Sequence, residues 1–382
     1  MDDLTGLLAD LVSIASINPM GRALVGPEVL ETRLTGYLED WFGRNGITCH
    51  RQPVAPGRDN LFAKFESPGS ARTLLFDVHQ DTVPTDGMTI DPFRPRIEDG
   101  RMWGRGSCDI KGGMAAMLAA VARLCRERPP RAASVVLACT VDEEYTHTGA
   151  SRLAQTAHGA DLAIIAEPTL LDLVHCHKGA LRCKIRTRGV ACHSSTPDRG
   201  VNAIYRMSRV LDALAEYAGI LGATVPDPIV GPPSLSVGRI EGGQSVNIVP
   251  DWCEIEVDRR LIPGEQPEQS SAAILQFLSD RLGSLEGMEF DQPWISLPAL
   301  VPRLEKWVEP LKEAVRRGTG HEPRVVGVPY GTDAGPLGAT GLPCVVFGPG
   351  DIAQAHTQDE WVDLDQVHRA AEAYYQMALT LG

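Results

Sequence analysis

Short apolar runs that end in, or lead directly into, an acid or a histidine constrain this chain more than any other feature. TLLFDV (73–78) leads into His79, SVVLACTV (134–141) into Asp142-Glu143-Glu144, and DLAIIAE (161–167) ends at Glu167. PCVVFG (343–348) is followed, after a short loop, by His356. Short, mainly apolar runs of this length, bounded by polar or turn residues, fit strands buried on both faces. Between the first two lies KGGMAAMLAAVARLCRERPP (111–130), where Met114, Leu118, Val121 and Cys125 recur at helical spacing. Arg126 and Arg128 fall in its last turn and Pro129-Pro130 stops it. Strands alternating with helices predict an α/β domain, a mainly parallel sheet sandwiched by helices.

The middle of the chain follows another rule. LRCKIRTRGVAC (181–192) alternates apolar and polar residues, as a half-exposed antiparallel strand does. A helical stretch follows at 200–220, then strands at 234–240 and 248–261, a helix at 266–284 and a short strand at 288–291. The order β-α-β-β-α-β is the split βαβ arrangement of ferredoxin-like α+β domains. The expected division is a discontinuous domain of residues 1–179 and 292–382 interrupted by an inserted domain, 180–291. The prolines and glycines of 221–233 read as a loop within the insertion.

Charge and composition exclude several classes. The 36 basic and 49 acidic residues give a net charge of −13, without the basic footprint that a nucleic-acid or anionic-membrane binder needs. With 43% hydrophobic and 22% charged residues, wholesale disorder is excluded. No apolar run approaches the roughly 18 residues of a membrane span. The segment MDDLTGLLADLVSIAS carries acids where a signal peptide needs positive charge, and reads as an amphipathic helix. Nine cysteines, an odd number without a CxxC pair, read as buried thiols of a reducing cytoplasm.

In an open α/β sheet, ligands bind beyond the carboxyl ends of the strands. His79, Glu143-Glu144, Glu167 and His356 follow such ends, and Asp109 opens the glycine-rich turn before the long helix. Each has a bland alternative. A histidine after a strand is commonly a hydrogen-bonded surface residue, paired acids are common in an acidic chain, and Asp109 could cap the helix. Their combination points to a metal site. In His79-x-Asp81 the second carboxylate could accept the imidazole's other N–H and fix its tautomer. A set of His, Asp and Glu without thiolates suits Zn²⁺, Co²⁺ or Mn²⁺, and a bridging carboxylate suits two ions roughly 3.5–4 Å apart. One of Glu143 and Glu144 would then ligate, while the other stays free to take a proton from an activated water.

HQD (79–81), GRGSCDIKGGMAAM (104–117), DEE (142–144), EP (167–168), GVACHSSTPDRGVNAI (189–204) and GPGDIAQAHTQDEW (348–361) together resemble the dinuclear metallohydrolases. That group holds acetylornithine deacetylase, succinyl-diaminopimelate desuccinylase, aminoacylase and glutamate carboxypeptidase. The resemblance runs from about residue 5 to the end of the chain, and the last motif is most similar to the acetylornithine deacetylase branch. It implies that His79 and Glu167 hold one metal, Glu144 and His356 the other, and that Asp109 bridges them. Glu143 would be the general base, Asp81 the orienter of His79, and the Asp109-Ile110 peptide cis. It further implies that the inserted domain is a dimerisation or lid domain. From it His193 would reach across a homodimer to the oxyanion, with Asn247 and Arg260 binding a substrate carboxylate. Arg260 rather than Arg259 fits the family's D-x-R pattern, and a strand turns the two to opposite faces. Gly331-Thr332 resemble a further substrate loop, whose Asp333 reads equally as a helix cap.

The activity implied is amide hydrolysis of a small N-acylated amino acid by a cytoplasmic homodimer carrying two divalent ions per subunit, Zn²⁺ first among them. A desuccinylase, a small-peptide carboxypeptidase or dipeptidase, and a hydrolase of another linear C–N bond would share the apparatus. A non-catalytic binding protein would be expected to have lost the base or a ligand, and every position here is filled. A nucleophilic Cys108 or Ser195 is the remaining rival. No GxSxG elbow supports a serine, and the acid beside Cys108 disfavours a thiolate.

Overall fold

The computed structural model describes residues 3–156 and 159–382. The chain divides into two compact units. One comprises the residues up to His175, Pro302–Gly327 and Thr332 onward; the other is Cys176–Val301 with Val328–Gly331.

Four strands of the first unit's sheet run parallel, in the order Ser134–Thr140, Thr73–His79, Leu162–Ile165 and Cys344–Val346. His79 lies opposite Thr140, Asp77 opposite Ile165, and Val346 opposite Ile165. Nearly every residue of these strands is buried, which is why they are mostly apolar and do not alternate. The edges differ. Arg58–Phe65 joins Ser134–Thr140 antiparallel, Cys49–Ala55 extends it as a hairpin, and Leu173–His177 pairs antiparallel with Cys344–Val346. The eighth strand in the order is Val325–Val328.

The long helix runs Gly112–Glu127. It can begin so close to the sheet because it opens on two glycines. A Cβ on Gly112 would meet the Ser107 carbonyl at 2.7 Å, and one on Gly113 would lie 3.1 Å from Ala166. It ends as Arg128 turns left-handed at φ 47°, just before the proline pair. Helix Leu364–Thr380 starts on Asp363, whose side chain accepts from the Gln366 amide. It brings Tyr374 against Phe76 and Phe347, with ring centroids 5.6 and 5.4 Å away. Each fully buried large apolar side chain contributes about 1.5–3 kcal/mol. A parallel core has one geometric consequence: the ends of all four strands, with the loops that follow, lie at a common edge.

The second unit has the strand order Ser234–Gly242, Trp252–Leu261, Gly179–Arg188, Met288–Phe290, antiparallel throughout, and Ile295–Leu297 also pairs with Gly179–Arg188. Helices Ala203–Gly222 and Pro267–Leu282 complete the split βαβ order. Leu181, Cys183 and Ile185 face the helices' Met207, Val210, Ile274 and Leu278 in one apolar core. The alternate residues carry ion pairs, Arg182 to Asp258 at 2.7 Å and Lys184 to Glu254 at 2.9 Å. The strand expected at 181–192 stops at Arg188. Gly189 packs against the Val201 and Pro250 carbonyls, where a Cβ would come within 2.0 and 2.8 Å, and the chain turns there to a single bridge, Val190 to Val201.

No helix among the described residues is long and apolar enough to cross a membrane. All nine cysteines are free. Six are buried as thiols were expected to be, whereas Cys49, Cys125 and Cys192 are half-buried.

Candidate metal centre

His79 is the last residue of its strand. Its Nδ1 lies 3.0 Å from the Asp81 backbone carbonyl, so Nδ1–H donates there and Nε2 is left as the ligand atom. Nε2 is 3.1 Å from Oδ1 of Asp109 and 4.0 Å from Glu167. Oδ2 of Asp109 is 3.3 Å from Nε2 of His356, which is 3.0 Å from Glu144. Two ligand groups result, His79–Asp109–Glu167 and Asp109–Glu144–His356. Asp109 belongs to both and turns one oxygen to each histidine. It is not a helix cap: the position before Gly112 is Lys111, and Asp109 stands in a tight turn whose Asp109-Ile110 peptide is cis, as the family resemblance implies.

The electrostatics of this place call for cations. Burial, then the neighbouring Glu167, pushes Glu143 well above the ordinary carboxyl range. Burial and Asp109 push Glu167 well up and raise Glu144. Burial alone would depress His79, but the Asp109 carboxylate overcomes it and holds the imidazole well above its usual value. Burial works in the other direction on Asp109, and the two histidines overcome it, so that it stays ionised. Oε1 of Glu144 is buried without a hydrogen-bond partner, which a native interior rarely tolerates. Hard oxygen donors with two imidazoles fit divalent ions, and an ion offers that orphaned oxygen the partner it lacks.

The expectation for Asp81 needs correction. Its carboxylate is 3.7 Å from Nδ1 of His79, and its backbone carbonyl is the hydrogen-bonded partner. The carboxylate is engaged elsewhere. Oδ1 accepts the Glu143 N–H and Oδ2 the Glu144 N–H, each at 3.1 Å, and Asn18 donates to Oδ2 at 2.8 Å. Behind this clamp Arg58 joins Glu31 at 2.5 Å and Asp142 at 2.6 Å.

Two residues escaped the sequence reasoning. Glu360 is fully buried. Oε1 accepts the Cys108 and Asp109 amides, and Oε2 accepts the Gly106 amide, all at 2.9 Å, with Arg105 at 2.7 Å. One carboxylate thus fixes the turn that presents Asp109. Removing one partner of such a buried pair costs about 3–5 kcal/mol. Glu360→Ala is therefore expected to lower the urea midpoint by that much stability at unchanged slope; a midpoint equal to the parent's would refute the assignment. The second missed residue is His147, whose Nδ1 is 2.9 Å from Asp333 and 3.7 Å from Glu143. Asp333 stands at the start of helix Ala334–Ala339 but makes no side-chain cap. The only signal for either residue was its place a few positions beyond a motif acid or histidine.

The remaining candidates divide between the units. Thr332 is buried, and its hydroxyl accepts the Ala334 amide at 3.1 Å; Gly331 belongs to the second unit. There His193 is exposed, and its Nδ1 accepts the Ser195 amide at 3.1 Å. The facing stretch carries Asn247, whose carbonyl accepts the Ser194 amide at 3.0 Å. Arg259 is 1% exposed and pairs with Glu265, while Arg260 is partly exposed and held by Asp258 at 2.7 Å. The strand therefore turns Arg260, not Arg259, outward. Cys108 is buried, and burial with the charges of Glu360 and Asp109 pushes its thiol well up, which removes it as a nucleophile.

Residues 75–380 match the family described as peptidase family M20/M25/M40. The chain is 34% identical over 319 residues to an acetylornithine deacetylase of Myxococcus xanthus, covering 81% of this chain and 80% of that one. It is 33% identical over 382 residues to the acetylornithine deacetylase of Pectobacterium carotovorum subsp. carotovorum (strain PC1), covering 96% and 94%. Its fold matches an M20 family metallo-carboxypeptidase from Sulfolobus solfataricus with TM-score 0.79 at 18% identity, over 100% of both chains. It also matches the Bacillus subtilis YXEP protein, a dinuclear metal binding peptidase of that family, with TM-score 0.70 at 16% identity over 99% and 97%.

Proposed function

Since the chain belongs to peptidase family M20/M25/M40, we propose that it is a dinuclear amidohydrolase removing the acyl group, acetyl first among candidates, from a small N-acylated amino acid. The observation that carries this reading is the single carboxylate of Asp109, shared between His79 and His356. Beside it stands an acid, Glu143, that belongs to neither of those two ligand groups.

In this reading His79 and Glu167 would hold one ion and Glu144 and His356 the other, with Asp109 available to both groups. Zn²⁺ is the proposed ion, with Co²⁺ and Mn²⁺ suited to the same donors. Such ions supply Lewis acidity to the scissile carbonyl and bring a water's pKa down to about 7. Glu143 takes a proton from the attacking water. As the water oxygen bonds to the carbonyl carbon and the C–N bond breaks, Glu143 hands the proton to the leaving nitrogen and is regenerated. His193 donates to the oxyanion: with Nδ1 accepting the Ser195 amide, the neutral ring carries its proton on Nε2. We assign this donor to the partner chain of a homodimer, with the second unit as the dimerisation or lid domain. Asn247 and the planar fork of Arg260 grip the substrate's carboxylate, and Gly331-Thr332 form part of its loop. Nine free cysteines support work in a reducing, cytoplasmic compartment.

The test is a panel of N-acetyl, N-succinyl and N-formyl amino acids and dipeptides, assayed with Zn²⁺, Co²⁺ or Mn²⁺. N-acetyl substrates should be turned over, and activity should be lost to a chelator but not to thiol alkylation. Turnover of dipeptides or succinyl compounds alone would overturn the acyl assignment, and no turnover with any metal would overturn the hydrolase. In the same assay His193→Ala should lower kcat by about 10²-fold. Co-expression with inactive Glu143→Gln should restore part of it, since one intact site then forms across the dimer; no restoration would overturn the trans assignment.

A further inference from the structure

His147 is not a ligand of either group that shares Asp109, yet it is built into the first unit with more care than a loop residue needs. Its backbone is left-handed at φ 54°, a conformation uncommon for residues other than glycine. Its amide donates to the Asp142 carbonyl at 2.7 Å, and its carbonyl accepts the Ser151 amide at 2.9 Å. The side chain is 11% exposed. Nδ1 is 2.9 Å from Oδ1 of Asp333. Oδ2 of Asp333 is 3.1 Å from the Thr140 hydroxyl, itself 3.0 Å from Asp77. Thr140 and Asp77 lie on the two adjacent central strands of the sheet. The ring is thus anchored, through Asp333 and Thr140, to the central strands of the sheet. Its other near neighbour is Oε1 of Glu143, 3.7 Å from the same Nδ1.

We propose that His147, whose Nδ1–H is given to Asp333, is a positioning residue for Glu143 by contact: its ring edge, 3.7 Å from Oε1, bounds one carboxylate oxygen of Glu143 and leaves the other for the proton in flight. The inference rests on Glu143 being the base. A base must be held within about 0.5 Å of its productive place, and a misplacement of about 1 Å costs about 100-fold in rate. Glu143 and Glu144 have their backbone amides fixed by Asp81, but a glutamate side chain has three further torsions. Asp81 does not govern those, and the His147 ring edge is what borders the carboxylate at their end.

The experiment compares His147→Ala, His147→Asn, His147→Gln and Glu143→Gln in the full chain, measuring kcat, KM, bound metal and melting temperature. His147→Ala should lose about 10- to 100-fold in kcat, with KM within about twofold and bound metal and melting temperature as in the parent. An asparagine amide reaches the place of Nδ1, whereas a glutamine amide reaches that of Nε2. His147→Asn should therefore recover at least about tenfold over His147→Gln, and this comparison decides the matter if the alanine variant does not fold. Wild-type kcat in His147→Ala, or equal activities of the Asn and Gln variants, overturns the inference. So does a loss that merely follows falling metal content, or a third ion per chain held by Glu143, His147 and Asp333. If Glu143→Gln itself stays active, the base assignment has failed instead, and the two failures are told apart.

Discussion

Glu143→Gln is expected to lower kcat by about 10²–10⁴-fold, the range that a positioned general base contributes, with two ions still bound per chain. Glutamine keeps the volume and the backbone clamp of Asp81, so the loop carrying Glu144 should stay in place. What it loses is the capacity to take a proton. Glu143 is suited to that task by its surroundings: burial and the nearby Glu167 raise its affinity for a proton well above that of a surface acid, and a bound cation pair works against that rise. KM should change little, because Glu143 acts on the proton and not on the substrate's carboxylate. The measurement is kcat with metal analysis on the same sample. Activity within about tenfold of the parent at full metal content would remove Glu143 from the mechanism.

Asp109→Ala should have an effect of another kind. Because Oδ1 serves one ligand group and Oδ2 the other, a single substitution opens both. We expect both ions to be lost and kcat to fall by about 10³-fold or more, several kcal/mol of electrostatic stabilisation at 1.36 kcal/mol per decade. His356→Ala is the control, since His356 belongs to one group only, and it should leave one ion bound. The stoichiometry of the two variants, read by elemental analysis after dialysis, distinguishes a shared ligand from two separate sites. Equal losses in both would deny the sharing.

Much of this arrangement was legible in the residues. Strands such as Thr73–His79 and Leu162–Ile165 are buried on both faces and so are mostly apolar, and a parallel core sends their ends to one edge. His79, Glu143-Glu144 and Glu167 could be placed on that account. The hairpin Cys49–Phe65 was not seen, because two strands at the sheet's margin with partly wet faces mix Arg51, Gln52 and Lys64 among their apolar residues. Glu360 and His147 were missed for a different reason. Each is defined by partners remote in sequence: Glu360 by the Gly106–Asp109 amides, His147 by Asp333. Periodicity carries no trace of such pairs. Asp81 was found but assigned the wrong atom. Whether a carbonyl or a carboxylate meets an imidazole depends on one local torsion, and the residue type does not state it.

The clamp at Asp81 has a bearing on how substrates can differ within one such scaffold. Its carbonyl fixes His79, and its carboxylate fixes the backbone of both Glu143 and Glu144. On the proposed roles, a ligand on one strand, a ligand on the next loop and the base beside it share a single anchor. A change that shifts any of them shifts all three, so drift at Asn18, Arg58 or Glu31 has little room to retune selectivity without harming the chemistry. On the proposed assignment of Asn247 and Arg260 to the substrate's carboxylate, freedom to vary lies where no such shared anchor exists, among the exposed side chains of the second unit. New selectivities in a chain of this design should thus arise there, while the hydrolytic core passes unchanged from one to the next.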